Sequence, residues 1–488
     1  MGEKIIIDIL GHADFSGRLR KSKSSPGLAA FCASVDSVRD GNPQGTLLLD
    51  SGDEFGASYW PGFPVVKALS LIGTDAMTLG NHEFDRGKGF LEECIGAAAY
   101  PILCANIAEK ATGELVRGVL PYVILERSGV KVGILGLTTE YTPYMIKYPA
   151  FEPYRVTSSV EACNLYIPQM RGEGAQIIVL LTHFPFYVDE HGGISGELYD
   201  VLCSVPPVDV CIGGHIPGDY AGVVCGAAVM KAGFAGESLG HARLWFDAER
   251  NRVADVKCEI MLTDPEAVGS ESVLRYVDEA VAPYSAYLDE VLAIVEEEAV
   301  MRLSCESKLG NFFADCLLEG GGTQISYMNA TSAGGIVAPG PLTVEDITGC
   351  SRFNEYLMTT RMTGRQIYRL FELVYEPERF GCNGCLCFSG IVAYLDHTKP
   401  SPCKVSRITL PDGTPLDPDA LYSVTANEYM ASGGNDTSEI ARAVEWESSG
   451  LLNHDAIFRY LRKHGGLRTR EGRRLHEIGS PENDNTPF

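Results

Sequence analysis

Four apolar segments of the chain each end in residues that can bind a metal ion, and this repeated pattern most constrains the fold. The segments are residues 47–49, 76–79, 177–181 and 208–212. Short apolar runs that end in turn residues are typical of buried strands. The metal-binding residue types that follow them are Asp53, Asn81 with His82, His183 and His215. Because open α/β sheets place ligands at the carboxyl ends of their strands, the pattern predicts an α/β fold with one shared site.

A further apolar segment, residues 5–10, leads to the same kind of sequence. It is followed by His12 and Asp14, and residues 80–85 read Gly-Asn-His-Glu-Phe-Asp. Carboxylate, amide and imidazole groups are common ligands of divalent ions. We therefore expect a metal centre built from several strand ends.

Gly52-Asp53, the Gly-Asn-His-Glu-Phe-Asp segment at 80–85 and Gly213-Gly214-His215 occur in the order of a known family. Together they resemble the calcineurin-like metallophosphoesterases, in particular the 5'-nucleotidase/UDP-sugar hydrolase branch. Residues 306–311, 328–329 and 340–343 resemble the C-terminal substrate domain of that branch. The resemblance extends from residue 4 to residue 440, and the order and spacing of the motifs make it specific.

The resemblance implies a four-layer α/β/β/α metallophosphoesterase sandwich followed by a smaller mixed α/β substrate domain. A length of 488 residues agrees with two domains, because a single core rarely grows so large. We expect a catalytic domain over residues 1–263, a helical connector over 264–298 and the substrate domain over 299–468. A polar tail over 469–488 is predicted to be disordered.

The resemblance also implies two divalent ions, of Mn, Zn or Mg, on either side of a bridging hydroxide. The ligands implied for one ion are Asp53 as the bridge, Asn81, His183 and His215. His82 matches the catalytic histidine, and Asp85 would orient its imidazole. Asn106 and Asn329 match residues that bind substrate in relatives.

The ligand set for the other ion departs from the family. Asp14 and the shared Asp53 are present, but Ser16 stands where the family has a histidine. Pro217 stands where the family has a histidine or glutamine. His12 is the candidate replacement ligand, because it lies two residues from Asp14 in an extended segment. We expect this second ion to bind weakly, to be held by other groups or to be absent.

The residues that recognise a nucleotide are also altered. Relatives stack the base between two aromatic rings, whereas this chain has Cys385 and residues 435–437 at those places. The predicted function is metal-dependent hydrolysis of a small phosphomonoester, with a nucleotide as one candidate substrate. Hydrolysis of a cyclic phosphodiester or of a pyrophosphate such as a UDP-sugar is the first alternative. The second is a catalytically weak, metal-binding descendant that binds a ligand in the interdomain cleft.

Composition limits the partners and the location of the chain. The net charge of −24 argues against a nucleic-acid groove, and no apolar run approaches the ~20 residues of a membrane span. Fifteen scattered cysteines and an N-terminus without a signal sequence favour reduced thiols in the cytoplasm. The alternative is an exported protein whose leader has been removed, since many relatives are exported. No feature predicts a protein partner.

Overall fold

The first part of the chain forms strands that pair into two six-stranded sheets. The computed structural model describes residues 4–55, 64–146, 148–189, 192–216, 218–351, 353–376, 385–435, 437–469 and 472–479. The chain divides into two units, Met1–Pro283 and Tyr284–Phe488. Strands of the first unit are β1 (Lys4–His12), β2 (Thr46–Asp50), β3 (Ala76–Thr78), β4 (Ile102–Leu103), β5 (Ile107–Glu109), β6 (Tyr122–Arg127), β7 (Val130–Thr138), β8 (Tyr154–Val156), β9 (Ile177–His183), β10 (Tyr187–Val188), β11 (Ile194–Ser195), β12 (Val210–Gly213), β13 (Tyr220–Val224), β14 (Ala227–Lys231), β15 (Ser238–Asp247) and β16 (Arg252–Leu262).

The two sheets face each other across a common apolar core. One has the strand order β16-β15-β1-β2-β3-β4 and the other β13-β14-β12-β9-β7-β6. Within them β1, β2, β3 and β4 run parallel, as do β7, β9, β12 and β14. Fully buried side chains from both sheets, such as Ile9, Leu49, Val179 and Ile212, form one cluster between them. The four apolar segments identified in the sequence are therefore central strands whose carboxyl ends carry the candidate ligands.

Helices cover the outer faces of both sheets. In the first unit they are α1 (Gly27–Arg39), α2 (Pro64–Leu71), α3 (Gly87–Ala97), α4 (Thr142–Met145), α5 (Tyr148–Phe151), α6 (Ser159–Gly172), α7 (Glu197–Leu202) and α8 (Glu271–Val281). In α1, apolar residues at helical spacing, including Phe31 and Val35, form the buried face. Residues of α6 and α7, such as Ile167 and Leu198, pack on the outer face of the second sheet. The predicted four-layer sandwich is confirmed.

The second unit is a smaller mixed α/β structure. Its elements are α9 (Ser285–Leu288), β17 (Val291–Val295), β18 (Ala299–Val300), α10 (Lys308–Gly321), β19 (Ile325–Asn329), β20 (Ile336–Val337), β21 (Gly340–Thr343), α11 (Val344–Cys350), β22 (Tyr356–Thr363), α12 (Gly364–Val374), β23 (Leu386–Ser389), β24 (Val392–Asp396), β25 (Val405–Thr409), β26 (Leu421–Asn427), α13 (Glu428–Ala431), α14 (Ser438–Arg442), β27 (Glu447–Leu452), α15 (Asn453–His464) and β28 (Leu475–Ile478). A five-stranded sheet has the order β23-β19-β26-β22-β27, and β25-β24-β28 form a second sheet. The Ser307 hydroxyl caps α10 by accepting the Gly310 N–H.

The structure corrects two predictions about the segments between and after the domains. The connector over 264–298 is helical only as far as Leu288, because Val291–Val295 pairs as an antiparallel strand with β21. The tail over 469–488 is ordered in part, since β28 pairs in parallel with β24. Arg474 anchors this strand because its Nη2 lies 2.7 Å from Asp315 Oδ2 in the interior. The other domain limits remain predictions.

One pair of cysteines lies close enough in the fold to form a disulfide. The pair is Cys203 and Cys225. Cys203 follows α7 and Cys225 lies in the turn between β13 and β14. Their separation of 22 residues gives no sign in the sequence that the fold brings their Cα atoms to 5.4 Å.

No helix in the described part of the chain has the length and apolar character that crossing a membrane requires.

Candidate metal centre

Three of the predicted ligands lie together at the carboxyl ends of strands from both sheets. Asp53 follows β2, His183 ends β9 and His215 follows β12. One ligand atom from each residue lies within 4.8 Å of the other two, and His183 Nε2 is 3.0 Å from Asp53 Oδ2. We call these three residues the Asp53 group. A carboxylate with two imidazoles is a donor set that fits a divalent transition metal.

Hydrogen bonds orient the two imidazoles and Asn81. His183 Nδ1 donates to the Ser51 carbonyl at 2.7 Å, so its Nε2 faces Asp53 without hydrogen-bond geometry. His215 Nδ1 lies 2.9 Å from Asn81 Oδ1, a separation that also suits two ligands of one ion. The Asn81 amide nitrogen is buried without a hydrogen-bond partner. These buried unpaired atoms favour a group that binds between them, because unpaired polar atoms are rare in protein interiors.

The backbone at the candidate ligands is strained. Asp14, Asp53 and His215 have φ angles of 56°, 63° and 71°, in the left-handed region that residues other than glycine seldom adopt. Each such residue costs about 1 to 3 kcal/mol, and such strain concentrates at functional sites. The fold therefore holds three of the predicted ligands in conformations that the chain would not choose locally.

Glu83 holds the two loops of the site together, a role that the sequence did not reveal. Its carboxylate is fully buried and accepts four backbone N–H groups. Oε2 accepts from Asp53 and Gly80 at 2.8 and 2.7 Å, and Oε1 accepts from Glu54 and Phe55 at 2.8 and 3.2 Å. Position 80 must be glycine in this arrangement, because a Cβ there would overlap Asp53 Oδ1. The only signal in the sequence was the place of Glu83 within the 80–85 segment.

The predicted pair of His82 and Asp85 is present beside the Asp53 group. His82 Nδ1 lies 2.8 Å from Asp85 Oδ2, and both side chains are about one-fifth exposed. The His82 N–H also donates to Asp53 Oδ1 at 2.8 Å. Burial lowers the pKa of His82, but the Asp85 and Asp53 carboxylates outweigh it and raise this pKa to about 9. The two carboxylates therefore favour the protonated form of the imidazole.

Charges inside the Asp53 group compensate one another. Burial disfavours the Asp53 carboxylate, yet His183 and His82 hold its pKa well below the usual range. Burial also disfavours a charged His183, but Asp53 raises its pKa to about 10. Burial and the charge of His183 lower the pKa of His215 to about 3. A proton on His183 therefore compensates the charge of Asp53. A bound cation would displace this proton.

The residues expected at the other ion are not gathered into the Asp53 group. Asp14 Oδ2 accepts the backbone N–H of His215 at 3.0 Å. Ser16 Oγ donates to the Asp53 carbonyl at 3.2 Å, and Pro217 lies outside the described residues. His12 lies in a different group of buried side chains. Its role as a replacement ligand beside Asp14 stays a prediction.

The two predicted substrate-binding amides are buried and have internal partners. Asn106 donates to the Thr138 carbonyl at 2.6 Å and accepts the Thr138 N–H at 2.9 Å. The Asn329 side-chain oxygen accepts from Ser332 and from Asn427. Both amides thus join neighbouring elements of their own unit, and their contacts with substrate remain predictions.

Comparisons with known proteins agree with the sequence motifs. Residues 292–441 match the family model described as 5'-nucleotidase, C-terminal domain. The chain is 26% identical to a snake venom 5'-nucleotidase from Gloydius brevicauda, over 95% of this chain and 86% of that protein. It is 24% identical to protein UshA from Yersinia enterocolitica, over 90% and 88%. The structure of a 5'-nucleotidase precursor from Thermus thermophilus superposes with a TM-score of 0.84, at 22% identity, over 98% of this chain and all of that one. The predicted family resemblance and two-domain fold are confirmed.

Proposed function

Because the chain is related to the 5'-nucleotidase branch of the metallophosphoesterases, we propose that it is a metal-dependent phosphomonoester hydrolase. The observation that carries the proposal is the Asp53 group with the His82–Asp85 pair beside it. Asp53 and His183 are buried, His215 is half-buried, their ligand atoms lie close together, and the His82 imidazole stands next to them. This combination suits the transfer of a phosphoryl group to water.

Asp53, Asn81, His183 and His215 would hold one divalent ion, with Mn²⁺ or Zn²⁺ suited by the two imidazoles and Mg²⁺ less so. When bound, such an ion lowers the pKa of a water molecule and neutralises charge on the phosphoryl oxygens. The chain itself supplies an acid at His82. Asp85 holds Nδ1, so Nε2 is the nitrogen that would give a proton to the leaving oxygen.

A small phosphorylated compound is the substrate class that the relatives support. We infer a nucleotide as the first candidate, because residues 292–441 match the 5'-nucleotidase C-terminal domain. Base recognition would differ from that of relatives, since the Cys385 side chain is buried and its thiol donates to the Cys305 carbonyl at 3.2 Å. Cyclic phosphodiesters and pyrophosphates remain alternatives.

The proposal is tested by hydrolysis assays on the metal-loaded protein. p-Nitrophenyl phosphate, adenosine monophosphate, a cyclic nucleotide and UDP-glucose form the substrate panel, with Mn²⁺ or Zn²⁺ added. We expect turnover of the monoesters, loss of turnover with a chelator, and a ~10²- to 10⁴-fold lower kcat in His82→Ala. His464→Ala, a surface histidine of the second unit, is the matched control. Equal rates in wild type and His82→Ala would contradict the proposed role of His82.

A catalytically weak binding protein is the second candidate. Ser16 favours it, because the hydroxyl that replaces the family's histidine donates to the Asp53 carbonyl. In that case one ion would bind and the panel would show no turnover that depends on His82. Adenosine monophosphate would still raise the melting temperature through binding to the folded state.

The location of the chain is also a proposal. The Cα atoms of Cys203 and Cys225 lie 5.4 Å apart, and a bond between the two residues would favour an oxidising compartment over the predicted cytoplasm, because disulfides seldom persist among cytoplasmic thiols. Mass spectrometry of the alkylated, unreduced native protein would show whether this pair is bonded.

A further inference from the structure

A second group of ligand-type side chains lies in the first unit, and no part of the proposed mechanism uses it. It consists of His12, Asp50 and Glu54, and we call it the His12 group. His12 and Asp50 are the last residues of the adjacent parallel strands β1 and β2 and are paired in register. Glu54 follows β2 by four residues. One ligand atom from each side chain lies within 4.8 Å of the other two.

The His12 group is completely enclosed. His12 is 1% exposed, and Asp50 and Glu54 are 0% exposed. The ring of Phe31 packs edge to face against His12 with centroids 5.0 Å apart. Water therefore cannot solvate these charges, and the protein must compensate them internally.

Four polar atoms of the His12 group are buried without hydrogen-bond geometry. Both His12 nitrogens, Asp50 Oδ2 and Glu54 Oε2 are buried and have no hydrogen-bond partner. The other carboxylate oxygens are fixed, because Asp50 Oδ1 accepts the Gly52 N–H at 2.8 Å and Glu54 Oε1 accepts the Phe15 N–H at 3.1 Å. The backbone thus holds both carboxylates in place and leaves one oxygen of each buried without a hydrogen bond.

Among the residues that the structure describes, no lysine or arginine lies at ion-pair distance from these carboxylates. Within the described ranges, His12 is the only basic side chain at ion-pair distance from Asp50 or Glu54. Its Nδ1 lies 3.5 Å from Glu54 Oε1 and its Nε2 lies 3.9 Å from Asp50 Oδ2. These separations are long for hydrogen bonds, whereas two ligands of one ion at about 2.1 Å each stand roughly 3 to 4 Å apart.

We propose that His12, Asp50 and Glu54 bind a divalent cation at a second, fully buried site. One imidazole with two carboxylates is a donor set for Zn²⁺ or Mn²⁺. The ligand set differs from that implied by the family resemblance, which uses Asp14 and the position of Ser16. The proposal stands whether or not the chain hydrolyses phosphate esters.

The loop after β2 would contribute to both sites, with Asp53 in one and Glu54 in the other. Asp53 and Glu54 are neighbours in sequence, and Glu83 accepts both of their backbone N–H groups. Asp53 contributes to one group and Glu54 to the other. A cation in the His12 group would therefore help to fix the backbone that presents Asp53, without itself touching the substrate.

Metal content tests the proposal directly. The full chain is loaded with Mn²⁺ or Zn²⁺, dialysed and analysed by mass spectrometry of the metals. We expect two equivalents in wild type, and one equivalent in Glu54→Gln and in His12→Gln. His183→Ala should also carry one equivalent, because it loses the ion of the Asp53 group and keeps the ion of the His12 group. Glu372→Gln, which removes a buried carboxylate of the second unit, is the matched control and should keep two.

The same samples distinguish a cation from a proton shared within the His12 group. If a proton occupies the His12 group, wild type carries at most one equivalent of metal. His183→Ala then removes that equivalent, and Glu54→Gln leaves the metal content unchanged. That result would overturn the proposal. Should Glu54→Gln and His12→Gln fail to fold, as judged by circular dichroism, crystals of wild type with Mn²⁺ decide the question. An anomalous peak at the His12 group supports the proposal, and no peak there refutes it.

Discussion

The carboxylate of Glu83 should contribute more to the stability of the first unit than any surface ion pair. Glu83→Gln replaces one of two oxygens with an amide nitrogen. Each oxygen accepts two backbone N–H groups, at 2.7 to 3.2 Å, so two donors lose their acceptor and face another donor. Hydrogen bonds to a charged acceptor contribute about 1.5 to 3 kcal/mol each. The substitution should therefore cost about 3 to 6 kcal/mol.

Urea unfolding of the metal-free protein and amide exchange measure this effect. The free energy of unfolding should fall by the stated amount, and the amides of residues 53–55 and 80 should exchange at least 100-fold faster, since 1.4 kcal/mol corresponds to a factor of about ten. Glu92→Gln is the control, because Glu92 lies on α3 and its ion pair with Lys88 is long, at 3.8 Å, and partly exposed. A loss below about 1 kcal/mol, or unchanged exchange of these amides, would refute the assigned role of Glu83.

Two further substitutions test the site and the fold. Asp85→Asn should lower kcat about 10- to 100-fold while metal content stays the same, because Asp85 orients His82 without binding the ion; a loss of metal would contradict this role. Asp8 is buried, which disfavours its charge, but hydrogen bonds from His241 and Arg243 lower its pKa to about 2. Because this pKa is below its value in the unfolded chain, the Asp8 carboxylate stabilises the fold above about pH 4. This stabilisation is lost as the pH falls towards 2. Asp8→Asn should therefore cost about 2 kcal/mol at pH 7 and much less at pH 2.5, as measured by urea unfolding; an equal cost at both pH values would contradict the argument.

The strands and the ligands of the Asp53 group could be predicted because each is encoded locally. Residues 47–49 and 177–181 are uniformly apolar, as central parallel strands must be. The residues after them occur in an order that resembles a known family. Asp53, His183 and His215 are far apart in sequence, yet the rule that parallel strands end at one edge brings them together.

Other features depend on contacts that no local pattern announces. Glu54 is one charged residue among many, and only the turn after β2 directs it towards His12 and Asp50. The strand β28 is four residues long and pairs with β24 across some 80 residues of chain. Its arginine-rich surroundings indicated a solvated tail, whereas Arg474 is 5% exposed. Burial of a charge becomes visible only when its partner, Asp315, is seen beside it.

The pairing of Arg474 with Asp315 also bears on how the chain is made. Asp315 sits in α10, near the start of the second unit, and its partner lies 159 residues later. At a synthesis rate of about 5 to 20 residues per second, the carboxylate waits roughly 8 to 30 s for its arginine. Until then, burial of α10 would enclose the Asp315 carboxylate without its arginine, with the Ser389 hydroxyl as a hydrogen-bond donor. The ion pair that completes the packing of α10 can therefore form only after residue 474 has been translated.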